Sequence, residues 1–297
     1  MKIAITGATG FIGRPLVDEL LRQGHELVLL ARRPSLKAPA GLATEHYDAL
    51  EAPRPGLLRG CDALVHLAGA PIAERWTAAH KARIVATRVD ATRALARAAA
   101  EARTVRTMVS ASAIGYFGAR GDEALSEDAP AGHDFLAEVC VGWEAATAPA
   151  REAGIRVVTP RFGVVLHPDG GALQKLLTPF KLGVGGPMGS GAQVMSWIHR
   201  ADLVSFIVFL LERQDLSGPF NATAPGAVTN REFARALGQV LHRPAVVSTP
   251  ALMLRLALGE MSSMLLTGQR VVPARALAAG FVFAHPTLGE ALQSLLT

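Results

Sequence analysis

Gly7-Ala8-Thr9-Gly10-Phe11-Ile12-Gly13 is the segment whose residue types and spacing have the clearest chemical reading. It follows a short apolar run, Lys2 to Thr6, and opens a stretch of helical spacing from Phe11 to Gln23. Glycines spaced this way between a strand and a helix suit a pyrophosphate. Gly7 permits the tight turn, Gly10 lets backbone approach the phosphates, and Gly13 lets helix and strand pack closely. The helix N-terminus then offers free N–H groups and a partial positive charge. These three glycines, with Thr9, Phe11 and Ile12, are the candidate contacts to a dinucleotide. A carboxylate at the end of the next strand would hold a ribose 2′-hydroxyl. Here the segment reads Leu30-Ala31-Arg32-Arg33-Pro34. Two guanidiniums match a 2′-phosphate in charge and geometry, so Arg32 and Arg33 point to NADP(H).

The elements that must position these residues follow from hydrophobic period. Apolar runs at Lys2 to Thr6, Glu26 to Ala31, Asp62 to Ala68, Arg106 to Ala111 and Arg156 to Val165 read as strands. Helical patterns lie between them at Phe11 to Gln23, Thr77 to Ala102 and Phe135 to Ala153. Such alternation predicts an α/β fold, a doubly wound parallel Rossmann sheet. Beyond residue 166 the chain turns glycine-rich, then helical. Helices are expected at Ala172 to Leu182, Ile198 to Glu212 and Asn230 to Leu241, the last capped by Thr229 or Asn230. Gly218 to Ala222 suits a late strand. The expected organisation is an NADP-binding domain over 1–165, to which later segments return. Residues 166–297 would form a small, mainly helical substrate-side lobe with the helical C-terminal region.

Composition narrows the class. The chain has 297 residues, 50% of them hydrophobic and 19% charged, which excludes a disordered chain. The net charge of +5 is scattered, with no basic block of the kind that binds nucleic acid. Cys61 and Cys140 lack metal-ligand spacing and read as free thiols in a reducing compartment; no metal site is expected. The opening MKIAITGATGFIG does not read as a signal peptide, because glycines interrupt its apolar run at once. Apolar stretches fall short of the ~20 residues that span a bilayer. The expectation is a soluble cytoplasmic protein acting on a small molecule, without nucleic-acid or membrane partners.

TGATGFIG, with LAGAPIAERW, SASAIGYFG, CVGWEAA, PRFGVVLHPDGGAL, PFKLGVGGPMGSG, WIHRADL, FNATAP and TGQRVVP, resembles the extended short-chain dehydrogenase/reductases nearly end to end. The likeness is to the atypical "epimerase family" branch, which carries a C-terminal domain of unknown function. Short-chain dehydrogenases in general move hydride with a Ser and a Tyr-x-x-x-Lys pair, and lack of that pair sharpens the likeness to the atypical branch. That pair is missing here: Tyr47 is followed four residues on by Glu51, and Tyr116 by Arg120. In the expected helix, registering Trp143 at the Lys position puts Val139 at the Tyr position.

The resemblance implies further site residues. Leu67, Ala68 and Gly69 lie along the adenosine half of the cofactor, and Gly163 to Val165 beside the nicotinamide. Ser112 falls at the family's serine, with Ser110 beside it, and would polarise a carbonyl. Tyr116 could replace the lost phenol. Arg88 stands where relatives have an Asn, and a buried Arg there needs an anion. Arg83 joins it as a cofactor candidate, and Glu144 could pair with Arg88 or carry a proton. The loop Gly183 to Gly191 resembles a mobile, partly ordered flap. In WIHRADL, His199 is the titrating candidate, although the motif mainly anchors the lid in relatives. A homodimer is common among relatives. Two readings stay open: an NADP(H)-dependent oxidoreductase or epimerase on a small carbonyl or hydroxyl substrate, and a non-catalytic NADP(H)-binding redox sensor or regulatory protein.

Overall fold

The computed structural model describes residues 1–32 and 42–297. Among the described residues, seven parallel strands run across the central sheet: β1 (Lys2–Thr6), β2 (Glu26–Ala31), β3 (Ala43–His46), β4 (Ala63–His66), β5 (Thr107–Ser110), β6 (Arg156–Phe162) and β7 (Gly218–Ala222). Their order across the sheet is 3-2-1-4-5-6-7. Ile3 pairs with Leu27 on one side and with Ala63 on the other, so the order reverses at β1. A ligand crevice opens outside the strand ends at such a switch point. Ser112–Ala113 adds a short parallel pairing to Arg161–Phe162.

Helices cover both faces because successive strand residues point to opposite sides. Ile3, Ile5, Val65 and Val109 join Leu16 and Leu20 of α1 (Gly13–Arg22) in one core layer. Ala4, Leu64 and Met108 face the other way, onto Leu95 and Ala99 of a helix over Ala91–Ala102. The expected helix from Thr77 to Ala102 is therefore three pieces: α2 (Ala78–Val85), a π-turn (Ala86–Asp90) and α3 (Ala91–Ala102). The expected helix from Phe135 is likewise split, into α4 (Phe135–Ala145) and α5 (Ala148–Glu152), where Pro149 starts the second. Proline is suited to a first helical turn because it lacks an N–H.

The expected strand from Arg156 to Val165 bends at Gly163. A Cβ there would lie 2.8 Å from the Ser196 carbonyl. Beyond the bend, Val164–His167 leaves the main sheet and pairs with Trp197–His199. The mainly helical lobe grows from this pair through α6 (Gly171–Lys181), α8 (Asn230–Val240) and the last helix, Leu288–Leu296. Its own core holds Leu173, Phe180, Trp197, Phe233 and Leu292. Thr229 caps α8 in a capping box with Glu232. Between α6 and α8 the chain returns to the main core as α7 (Arg200–Glu212) and β7. Phe281 and Phe283 do the same. Among the described residues no helix is long and apolar enough to cross a membrane.

Candidate functional site

The switch point is built around Thr6, the buried last residue of β1. Its hydroxyl oxygen accepts hydrogen bonds from Leu67 N at 3.1 Å and Ala68 N at 3.2 Å. Both lone pairs are then used, so its proton goes to His66 Nδ1, 2.7 Å away. That assigns the His66 proton to Nε2. Complete burial, and then the Arg88 charge, hold the His66 pKa down to about 3. The imidazole is thus a neutral strut between β1 and β4.

Gly7 continues from Thr6 with φ +71°, and a Cβ there would lie 3.0 Å from Ala68 N. Gly10 N donates to Gly7 O at 2.9 Å and closes the turn. At Gly13 a Cβ would stand 2.1 Å from that same Gly7 oxygen. Ile12 precedes the helix without a side-chain cap, and no acidic residue occupies the first turn of α1. The N-terminal amides keep their capacity for an anion. This cradle, which side chains would fill, fits a dinucleotide pyrophosphate. Thr9 and Gly10 are exposed at its tip. The Phe11 ring instead packs over Gly170, where a Cβ would come within 2.6 Å, and lies under the Arg200 guanidinium at 5.2 Å. Arg32 is exposed at the end of β2. Arg33 lies outside the described residues.

Arg83 and Arg88 part company. Arg83 is exposed on α2, while the π-turn brings Arg88 into the interior. π-turns insert one residue into a helix and often mark functional sites. The Arg88 guanidinium lies 5.1 Å from the Trp143 ring, and Nη2 donates to Ala70 O at 3.0 Å. A Cβ at Gly69 would come within 3.1 Å of it, so this residue's smallness makes the room. Nε and Nη1 have no hydrogen-bond partner among the described residues, and burial pulls the guanidinium pKa down to about 10.

The expected pairing of Glu144 with Arg88 does not form. Glu144 instead takes a bidentate fork from Arg161, with Nε to Oε1 at 2.8 Å and Nη2 to Oε2 at 2.9 Å. Ser112 donates to Glu144 Oε1 at 2.7 Å. The Tyr116 ring lies flat under the Arg161 guanidinium, 3.5 Å from its carbon. Ser110, the last residue of β5, is buried, and its hydroxyl has no partner among the described residues. Arg161 was not singled out from the sequence. The available signal was a second charged residue, after Arg156, in a strand expected to lie inside the sheet, where a buried guanidinium demands a carboxylate.

Two other segments singled out from the sequence lie on the lobe side. The glycine-rich loop, expected as a mobile but partly ordered flap, is laced to the segment beyond α8: Gly189 N donates to Thr249 O, Thr249 N to Pro187 O, and Val247 N to Gly185 O. Glycine there allows close backbone contact, with a Cβ at Gly186 reaching 2.4 Å from Val247 O. His199 caps α7 by accepting from Ala201 N at 3.1 Å and stacks on His285 at 3.8 Å. Asp202, also on α7, accepts from Ala284 N and His285 N. This arrangement ties the C-terminal segment to the sheet. Val165 pairs with Ile198 on the same edge.

Burial, and then His285, lower the His199 pKa from 6.5 to about 4. The unfolded chain therefore protonates first as pH falls. Stability from this group is complete above its ordinary pKa of 6.5 and is lost by about 4, in all roughly 3 kcal/mol. His199→Asn retains a helix cap but cannot titrate. Its unfolding free energy, followed by urea denaturation over that window, should lose roughly 3 kcal/mol less than the wild type. Equal losses would contradict the assignment.

Residues 3–222 match the family model described as "NAD dependent epimerase/dehydratase family", and residues 249–295 match a "Domain of unknown function". The chain belongs to the NAD dependent epimerase/dehydratase family. Within this family it is 41% identical over 293 residues to "Epimerase family protein Mb2239" of Mycobacterium bovis, covering 98% of this chain and 96% of that one. A crystal structure of human epimerase family protein SDR39U1 with NADPH superposes with a TM-score of 0.91 at 35% identity, covering 100% and 99% of the two chains. A nucleoside-diphosphate sugar epimerase from Corynebacterium glutamicum gives 0.82 at 37% identity, over 100% of this chain and 58% of that one. The family's nicotinamide-binding fold accounts for the cradle at Gly7 to Gly13, and the second match falls on the last part of the lobe.

Proposed function

We propose that this chain binds NADP(H) at the Gly7–Gly13 turn and acts as an oxidoreductase or epimerase on a small carbonyl- or hydroxyl-bearing substrate in the cytoplasm. One observation carries the choice of phosphorylated cofactor: β2 ends at Ala31 and is followed directly by Arg32, with no carboxylate next to it in sequence. The NADPH-bound human relative supports it. Bound there, the nicotinamide supplies hydride transfer. Leu67, Ala68 and Gly69 would border the adenosine half, and Gly163 and Val165 the nicotinamide half. Arg88 would add its charge. Ser112, two residues beyond β5, would lie beside the substrate oxygen, with Tyr116 held nearby on Arg161.

Arg32→Asp should weaken NADPH binding by roughly 30- to 100-fold, because a charge-assisted contact worth about 2–3 kcal/mol becomes a repulsion. Isothermal calorimetry on cofactor-free protein measures it. An unchanged affinity overturns the assignment. The absence of Tyr-x-x-x-Lys favours a second reading, an NADP(H)-binding redox sensor without turnover. Consumption of NADPH with a panel of aldehydes, quinones and sugar nucleotides, lost in Ser112→Ala, supports the enzyme. Tight NADPH binding with no turnover on the panel supports the sensor.

A further inference from the structure

The cluster beyond β5 has a polarity that the two readings above leave unused. Ser112 has a single proton, and Glu144 Oε1 takes it at 2.7 Å. The same oxygen accepts Arg161 Nε, which fills its two lone-pair sites. Oε2 accepts Arg161 Nη2 alone and keeps one site open. Exposure follows the same order. The Glu144 side chain is 15% exposed and that of Arg161 3%. Ser112 as a whole is 1% exposed. The guanidinium is turned inward, with Nη1 on Glu127 O at 3.2 Å and its face on Tyr116. Within the trio of Ser112, Arg161 and Glu144, the atom left for a ligand is therefore a carboxylate oxygen held in place by its partners, at the end of the sheet where this fold binds its ligands.

We propose that Glu144 is the residue that meets the substrate, and that the site takes a hydrogen-bond donor, a hydroxyl or amine, in preference to a carbonyl. A carbonyl oxygen would face a lone pair on an anion. A hydroxyl completes the coordination of Oε2 with a charge-assisted bond. Ser112 and Arg161 are then positioning residues: together they fix the carboxylate rotamer from both sides. This reverses the expected role of Ser112, whose proton is committed to Glu144 and is withheld from a substrate carbonyl. The inference rests on the proposed function only in placing the substrate beyond β5.

Saturation-transfer NMR with cyclohexanol and cyclohexanone as paired probes tests it without turnover, on protein with and without NADPH. The wild type should favour cyclohexanol by about 10- to 100-fold, the weight of a charge-assisted hydrogen bond. Glu144→Gln, which offers an amide N–H, should lose or invert the preference. Ser112→Ala should keep the preference at reduced strength. Should Glu144→Gln fail to fold, Glu144→Asp carries the test: it keeps an acceptor one methylene further back and must still favour the alcohol. No cyclohexanol signal from the wild type, equal signals from the two probes, or an unchanged preference in folded Glu144→Gln would overturn the proposal. Preference for the alcohol in protein that fails to bind NADPH would separate this site from the cofactor assignment, which alone would then fall.

Discussion

Gly13→Ala will abolish NADP(H) binding, with a loss above about 100-fold in affinity. The added Cβ would stand 2.1 Å from the Gly7 carbonyl oxygen and 2.8 Å from Ala8 Cα. Both are backbone atoms, so no side chain can rotate aside. Either α1 must shift away from β1 or the turn must open. Overpacking of this kind costs typically ~1–3 kcal/mol in a core, and more where backbone is the obstacle. Because Gly13 contacts the turn itself, the strain falls on the amides that would face the phosphates. Gly289, in the last helix, is the control: a Cβ there meets nothing within 4 Å. Calorimetry with NADPH, alongside thermal unfolding of both variants, reads the outcome. Binding by Gly13→Ala within about tenfold of the wild type would show that the turn does not hold the pyrophosphate.

Arg161→Ala will destabilise the protein by about 3–5 kcal/mol, the usual consequence of leaving a largely buried charge without its partner. Three interactions disappear at once: the fork to Glu144, the bond to Glu127 O and the stack on Tyr116. The carboxylate of Glu144 then keeps Ser112 alone as a partner. Removing both charges in Arg161→Ala/Glu144→Ala should cost less than the sum of the single changes, since the orphaned ion is gone. Urea denaturation of the three variants gives the coupling. A single-variant effect below about 1 kcal/mol would mean that the pair is solvated rather than structural.

What the sequence reveals about this molecule divides by range. β1, the glycine turn, α1 and β2 are contiguous, and apolar run, turn chemistry and helical spacing agree there; the structure places them at Lys2–Thr6, Gly13–Arg22 and Glu26–Ala31. β3 gave no such signal, because Ala43–His46 is a half-exposed edge strand with polar residues and no apolar run. The π-turn at Ala86–Asp90 was invisible for a different reason: one inserted residue shifts the helical period too little to break the pattern, yet it decides that Arg88 is buried. Glu144 was legible as a candidate and its partner was not. Arg161 lies 17 residues on, across a helix and a strand, and only the sheet brings the two together. The pairing partners of the glycine loop were not legible, because glycine serves mobility and close packing equally well, and only the fold brings residues 247–249 alongside it.

The most direct test of the cofactor assignment is calorimetric titration of cofactor-free protein with NADPH and NADH in turn. Arg32 at the end of β2 and the uncapped start of α1 predict NADPH binding at least about 30-fold tighter than NADH, from the charge-assisted contacts to the added phosphate. Equal affinities would remove the arginine from the account, and no heat with either nucleotide would contradict the assignment of the turn itself.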